Sequence, residues 1–200
     1  MTDEQNKILI QVLTAYQSDE ADIDYRKQKD NGKMMLLVAD SSDIAKIDSM
    51  LGQALLDAGE ISSREFEEGE NYESAFLDLL GVEYGYRDDY FVCDGCFKIV
   101  PFDGLLGPTM EVVDGDYYCK DCIKEDKAWY IKKILEQKDP ELRCVRILDA
   151  GELEKLGFTK VDDFDLSGGA TADYERAKEQ FPDKQIIFRV ADDPELWICD

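Results

Sequence analysis

Apolar positions in the first 80 residues recur with helical and then strand periods. Leu9, Val12, Leu13 and Tyr16 fall at i, i+3, i+4 and i+7, which predicts a helix over about residues 4–17 with one apolar stripe. Asp30-Asn31-Gly32 marks a tight hairpin, because Asn31 and Gly32 both tolerate positive φ, and the run Met34–Val38 after it reads as a buried strand. Ser41, Ser42 and Asp43 can cap a second helix whose Ile44, Ile47, Leu51 and Leu55 share a face, with Gly59 just past its end. Tyr72, Ala75, Phe76 and Leu79 predict the stripe of a third helix that stops at Gly81.

Beyond residue 140 the pattern predicts strands over 143–148 and 185–190, helices over 151–156 and 172–181, and a closing short strand over 196–199. In the 185–190 strand Ile186, Phe188 and Val190 alternate with Ile187 and Arg189, so one face reads as apolar. The expected class is α+β: an acidic, mainly helical N-terminal region with a β-hairpin (1–90), a central cysteine module (91–139) and a small C-terminal α/β region (140–200). The last boundary is placed near Asp139-Pro140, where proline disfavours helix for the residue before it.

The strongest chemical signal is in the middle. Cys93-x2-Cys96 is followed after 22 residues by Cys119-x2-Cys122. A two-residue gap lets both sulfurs of a pair reach one ion, and two such pairs complete a tetrahedron of thiolates at about 2.3 Å from zinc. Asp94-Gly95 lies inside the first pair, where a turn benefits from glycine, and Asp114-Gly115 joins two alternating strands within 110–118 that return the chain to Cys119. The second pair runs into a helix carrying Ile123, Tyr130, Ile131, Ile134 and Leu135. Four protein ligands close the coordination shell, so the expected role is one structural zinc and not a catalytic one. Disulfides and an iron–sulfur cluster use the same residues and stand as alternatives. Cys144 and Cys199 lack partner spacing and read as core or surface thiols.

Knuckle, hairpin, then knuckle at a helix start resembles a treble-clef zinc finger, and Tyr117-Tyr118-Cys119-Lys120-Asp121-Cys122 is similar to the second half of a LIM-type module. The resemblance covers about residues 90–137 and departs from LIM domains in having four ligands for one ion and no histidine. It implies the metal role of the four cysteines and no particular partner.

Charge changes the picture of what the protein binds. Among 200 residues, 46 acids face 23 bases with no histidine, a formal net charge of -23, and the 44% apolar content still suffices for a core. Such a polyanion repels DNA, RNA and anionic lipid and attracts basic surfaces. The excess is uneven: 21 acids and 8 bases in residues 1–90, 10 and 7 in 91–139, 15 and 8 in 140–200. Its densest stretch sets Glu60, Glu65, Glu67, Glu68, Glu70 and Glu73 against Arg64 alone. Glu65, Glu67, Glu68, Glu70, Asp88, Asp89, Asp162, Asp163 and Asp165 are the candidate partner-binding acids; the bland alternative is a solvated face.

In size, charge and lack of active-site motifs the chain resembles small acidic phage and mobile-element proteins that block restriction or CRISPR nucleases, a likeness of composition. It implies a non-catalytic anti-defence (anti-CRISPR) inhibitor or nucleic-acid mimic that engages a basic, nucleic-acid-binding protein. A second class is a zinc-finger regulator touching nucleic acid through Lys120, Lys124, Lys127, Lys132, Lys133 and Lys138, unless these pair with the chain's own acids.

Without histidine the usual general base and the Ser-His and Cys-His pairs are missing, no P-loop or GxGxxG is present, and Ser167-Gly168-Gly169-Ala170 reads as a loop. Asp162, Asp163 and Asp165 keep a carboxylate-dependent enzyme open as a further alternative; the expectation is no enzyme. No run approaches the roughly 20 apolar residues of a membrane helix, and Met1-Thr-Asp-Glu-Gln lacks the basic-then-apolar order of a signal peptide, so a cytoplasmic protein is expected.

Overall fold

A computed structural model describes residues 1–17, 22–102, 110–190 and 193–200 and divides the chain into two units, one of residues 1–92 and 97–102, the other of 93–96 and 103–200. Helix and strand are mixed throughout, as an α+β chain requires. Among the described residues no helix is long and apolar enough to cross a membrane.

In the first unit, α1 (Asp3–Gln17) buries Ile8, Leu9, Val12 and Leu13, the face its period predicts. β1 (Asp24–Lys27) and β2 (Met34–Val38) pair antiparallel. Their connection is longer than the tight hairpin expected from Asn31-Gly32: Gly32 alone takes positive φ, at 71°, and the Asn31 side chain accepts from the Lys33 N–H at 2.8 Å. The Gln28 N–H donates to the Lys33 carbonyl at 2.8 Å, and the residues 29–32 enclosed by that bond need only one left-handed position.

Helix α2 (Ser41–Asp57) is capped one residue earlier than the serines suggested. Asp40 accepts from the Ser42 N–H, and Asp43 closes the box by accepting from the Asp40 N–H. Its other end is a Schellman turn, with Glu60 N–H donating to Leu55 and Gly59 N–H to Leu56 around Gly59 at φ 72°.

The acidic stretch forms α3 (Ser63–Gly69), and α4 (Ala75–Leu80) ends at left-handed Gly81. The buried face of α4 is Phe76, Leu77 and Leu80; Tyr72 lies before the helix, and both Tyr72 and Leu79 are exposed, which corrects the predicted stripe. A helix of six residues is too short for period alone to fix its phase.

Strand β3 (Glu83–Tyr86) lies parallel to β2, giving the sheet order β1-β2-β3. β2 is therefore central and buried on both sides. Leu36 and Val38 join the helical core, while Met35 and Leu37 meet Ile99 of the β4 (Tyr90–Val92) and β5 (Ile99–Pro101) hairpin.

The second unit holds the ribbon β6 (Met110–Val113) and β7 (Asp116–Cys119), joined by Asp114 and Gly115 at φ 56° and 95°, a two-residue turn as expected. The helix foreseen after Cys122 is two helices, α5 (Lys120–Glu125) and α6 (Lys127–Glu136). Asp126 leaves helical geometry between them and its side chain accepts from the Trp129 N–H, capping α6.

A sheet of order β8-β10-β11-β9 follows, built from β8 (Cys144–Val145), β9 (Thr159–Lys160), β10 (Gln185–Arg189) and β11 (Glu195–Cys199). Helices α7 (Ala150–Lys155) and α8 (Ala170–Gln180) lie where residues 151–156 and 172–181 predicted. The 143–148 strand shrinks to two residues. β10 is buried on both faces through Ile186, Ile187 and Phe188 while Val190 is exposed, because the strand is internal to its sheet. Tyr130, Ile131 and Ile134 of α6 and Ile123 of α5 pack into a core with Val145, Leu148, Ile187 and Trp197.

Candidate metal centre

The four predicted cysteines converge. Cys93 and Cys96 stand on the loop between β4 and β5, Cys119 ends β7, and Cys122 lies in the first turn of α5. Their sulfurs all lie within 4.8 Å of one another, with Cys93 and Cys122 at 3.8 Å. Four thiolates at about 2.3 Å from a tetrahedral ion have edges of about 3.8 Å, so the set is already close to the size the ion requires. All six cysteines of the chain are free thiols, and the arrangement could hold a metal ion such as zinc.

Local contacts fix the two knuckles on one another. Asp94 binds β7 twice: its N–H donates to the Tyr117 carbonyl at 2.8 Å, and its carboxylate accepts from the Tyr117 N–H at 2.7 Å. The Cys119 N–H points at Cys93 Sγ at 3.3 Å, the charge-assisted bond that a thiolate ligand favours. Gly95 is required by proximity and not by φ, because a Cβ there would meet Cys122 Sγ at 3.1 Å and Tyr118 at 3.3 Å. The chain leaves the first knuckle through Phe97 at φ 55°, a left-handed conformation that costs a non-glycine residue about 1–2 kcal/mol.

The four sulfurs also govern one another's protonation. As thiols, Cys93 and Cys122 are held above their ordinary pKa, Cys93 by the sulfur of Cys119 and then by burial, Cys122 by burial and then by Cys119, up to about 11. Four crowded anions repel one another; a divalent ion among them reverses that balance and keeps all four deprotonated. Cys93 and Cys119 are buried, and Cys96 and Cys122 partly so.

The candidate acids are not gathered in this way. Glu65, Glu67 and Glu68 lie on α3 and Glu70 caps its end; Asp88 and Asp89 lie between β3 and β4; Asp162, Asp163 and Asp165 lie between β9 and α8. All nine are exposed. Glu65 is tied into the capping box with Ser62, whose N–H and hydroxyl hold its carboxyl below the usual range. Glu68 pairs with Arg64 at 2.8 Å, and Asp165 with Arg176 at 3.5 Å. Of the lysines, Lys124 and Lys127 both reach Glu152, at 3.5 and 2.8 Å, and Lys133 reaches Asp114 at 2.8 Å.

Three acids are buried among the described residues, Asp48, Glu111 and Asp173, and none of them is among the candidate acids of the sequence. Glu111 of β6 is 3% exposed, accepting from the Tyr130 hydroxyl at 2.8 Å and pairing with Arg146 at 2.7 Å. In an alternating strand it reads as the wet position, yet Val112 beside it is the exposed one. Asp48 of α2 is 2% exposed and accepts from the backbone N–H groups of Phe76 and Leu77 at 3.0 and 2.7 Å, serving as the cap that Ser74 does not provide for α4. Its i+4 relation to Ile44 and i+3 relation to Leu51 put it on the apolar face, which is a signal the sequence carries. Comparison with protein-family models, with curated proteins and with solved structures gives no match to this chain.

Proposed function

We propose that this is a non-catalytic binding protein whose cysteine segment is held by one structural zinc and whose acidic surface engages a basic, nucleic-acid-binding protein, as a nucleic-acid mimic or anti-defence inhibitor does. The observation that carries the metal half is the closure of four sulfurs to within 4.8 Å with a protein ligand for every tetrahedral position, which leaves no place for water or substrate on the ion. The order of knuckle, β6–β7 ribbon and knuckle at the start of α5 supports a treble-clef reading of that segment.

The partner half rests on charge. A net charge of -23 disfavours phosphate backbones as ligands. The lysines that a nucleic-acid-binding finger needs are in part committed to the chain's own acids, Lys124 and Lys127 to Glu152 and Lys133 to Asp114.

The test has two arms. Elemental analysis of the purified protein is expected to give one zinc per chain; iron, or no metal, overturns the metal assignment. The immobilised protein is expected to retain a nucleic-acid-binding protein from extract and release it as salt rises from about 0.1 to about 1 M, where screening shortens from about 10 to about 3 Å. Retention indifferent to salt, or a gel shift with random DNA at physiological salt, overturns the partner assignment.

A further inference from the structure

Asp48 is costly where it stands. A carboxylate removed from water destabilises a fold unless countercharge or hydrogen bonds replace the solvent. Its Oδ1 accepts from the Phe76 and Leu77 N–H groups of α4, and the Ala75 N–H also bears on the carboxyl, so the amides replace only part of the lost solvent. Asp48 lines a cavity of about 240 Å³ in the first unit, together with Phe66, Phe76, Glu70, Tyr72 and Glu73. Burial pushes the Asp48 carboxyl up to about 6, with the charge of Asp78 adding to it and the α4 amides opposing; a cation in the cavity relieves the same penalty.

The lining selects the kind of cation. Asp48, Glu70 and Glu73 supply negative charge, and among the described residues no basic side chain lines the cavity. The three carboxylates do not converge as metal ligands: among the described residues only the cysteine set brings three or more donors within 4.8 Å. The rest of the lining joins Phe66, Phe76 and Tyr72 to Ala45, Ser49 and Asn71, with Phe66 and Phe76 stacked at 5.7 Å and Tyr72 exposed. A buried anion, acidic rim and aromatic wall match an organic cation on an apolar stem, which pairs at its head and lies against rings along its length.

We propose that this cavity receives the cationic end of a lysine or arginine side chain from a partner protein, paired with Asp48 and flanked by Phe66 and Phe76. The proposal rests on the basic-partner reading and gives that diffuse acidic surface one specific anchor.

The test titrates the isotope-labelled full chain with n-butylammonium chloride and with N-propylguanidinium chloride, using n-butanol and sodium chloride as controls, and follows the amide resonances of Phe76 and Leu77. A saturable shift with at least one cation and none with the controls is expected, the stronger cation naming lysine or arginine. Asp48→Asn is expected to lose it. No saturation with either cation, saturation with butanol, or a retained response in Asp48→Asn overturns the proposal. Should Asp48→Asn fail to fold, the exposed pair Glu70→Gln with Glu73→Gln is read instead: at least threefold weaker binding supports the site, and unchanged binding overturns it. Cation binding without a captured basic protein leaves the cavity assignment standing and removes the partner reading; a captured protein without cation binding does the reverse.

Discussion

The helical core of the first unit and the cysteine segment of the second differ in how much apolar surface each buries. In the former, Leu9, Leu36, Ile47, Leu51, Leu55 and Leu77 are all fully buried, so cohesion is spread over many side chains from α1, α2, α4 and β2. In the β6–β7 ribbon only Val113, Glu111 and Cys119 are buried, while Val112 and Tyr117 are 46% and 43% exposed. A ribbon of two short strands is marginal in water; this one leans on Val113 and Tyr118 packed with Ile123 and Tyr130, and a metal at the four sulfurs would add to that. Apolar burial thus fails gradually under substitution; a metal centre fails all at once.

The sharpest way to break the contrast is to remove one sulfur. Cys93→Ser or Cys119→Ser, or treatment of the wild type with a chelator, is expected to abolish stoichiometric metal and forfeit binding worth about 10–16 kcal/mol. Mapped limited proteolysis should then cut within residues 93–122 while α1, α2 and β2 stay protected. Equal resistance in variant and wild type would refute the metal's structural role.

The reciprocal change is Leu51→Ala, at a fully buried site, expected to cost the first unit about 2–5 kcal/mol by amide exchange while leaving the metal content unchanged. Loss of metal in this variant would show that the two modes of cohesion are not separate.

The smallest effect concerns Asp48. Its carboxyl titrates near 6 when folded and near 3.8 when unfolded, so between about pH 4 and 6 the folded state binds the extra proton and stability falls as pH rises. Relative to Asp48→Asn, the wild type is expected to lose up to about 3 kcal/mol across that window, measured as the difference in exchange protection of α2. A difference that stays flat from pH 4 to 7 contradicts the buried, raised carboxyl.

What the sequence reveals follows from how far each signal extends. The long α1 and α2 stripes, the Asp114-Gly115 turn and the four cysteines were legible because period, turn chemistry and ligand spacing are all local. The phase of α4 was not, since six residues offer too few repeats and its orientation is set by Asp48, 28 positions away from Phe76. Asp126 splitting one helix into two was legible only in hindsight, because an aspartate inside an amphipathic run caps or continues with similar ease. The burial of Glu111 depends on Arg146, which pairs with it from 35 residues downstream.

Phe76 has a last consequence. A Cβ at Gly52 of α2 would come within 2.3 Å of its ring, and one at Gly69 of α3 within 2.6 Å. The aromatic side chain is wedged where two helices each give up a side chain to admit it. The hollow above it is therefore shaped by two positions that contribute nothing to its lining, and substituting either one would remodel the hollow while leaving every acidic group in the sequence intact.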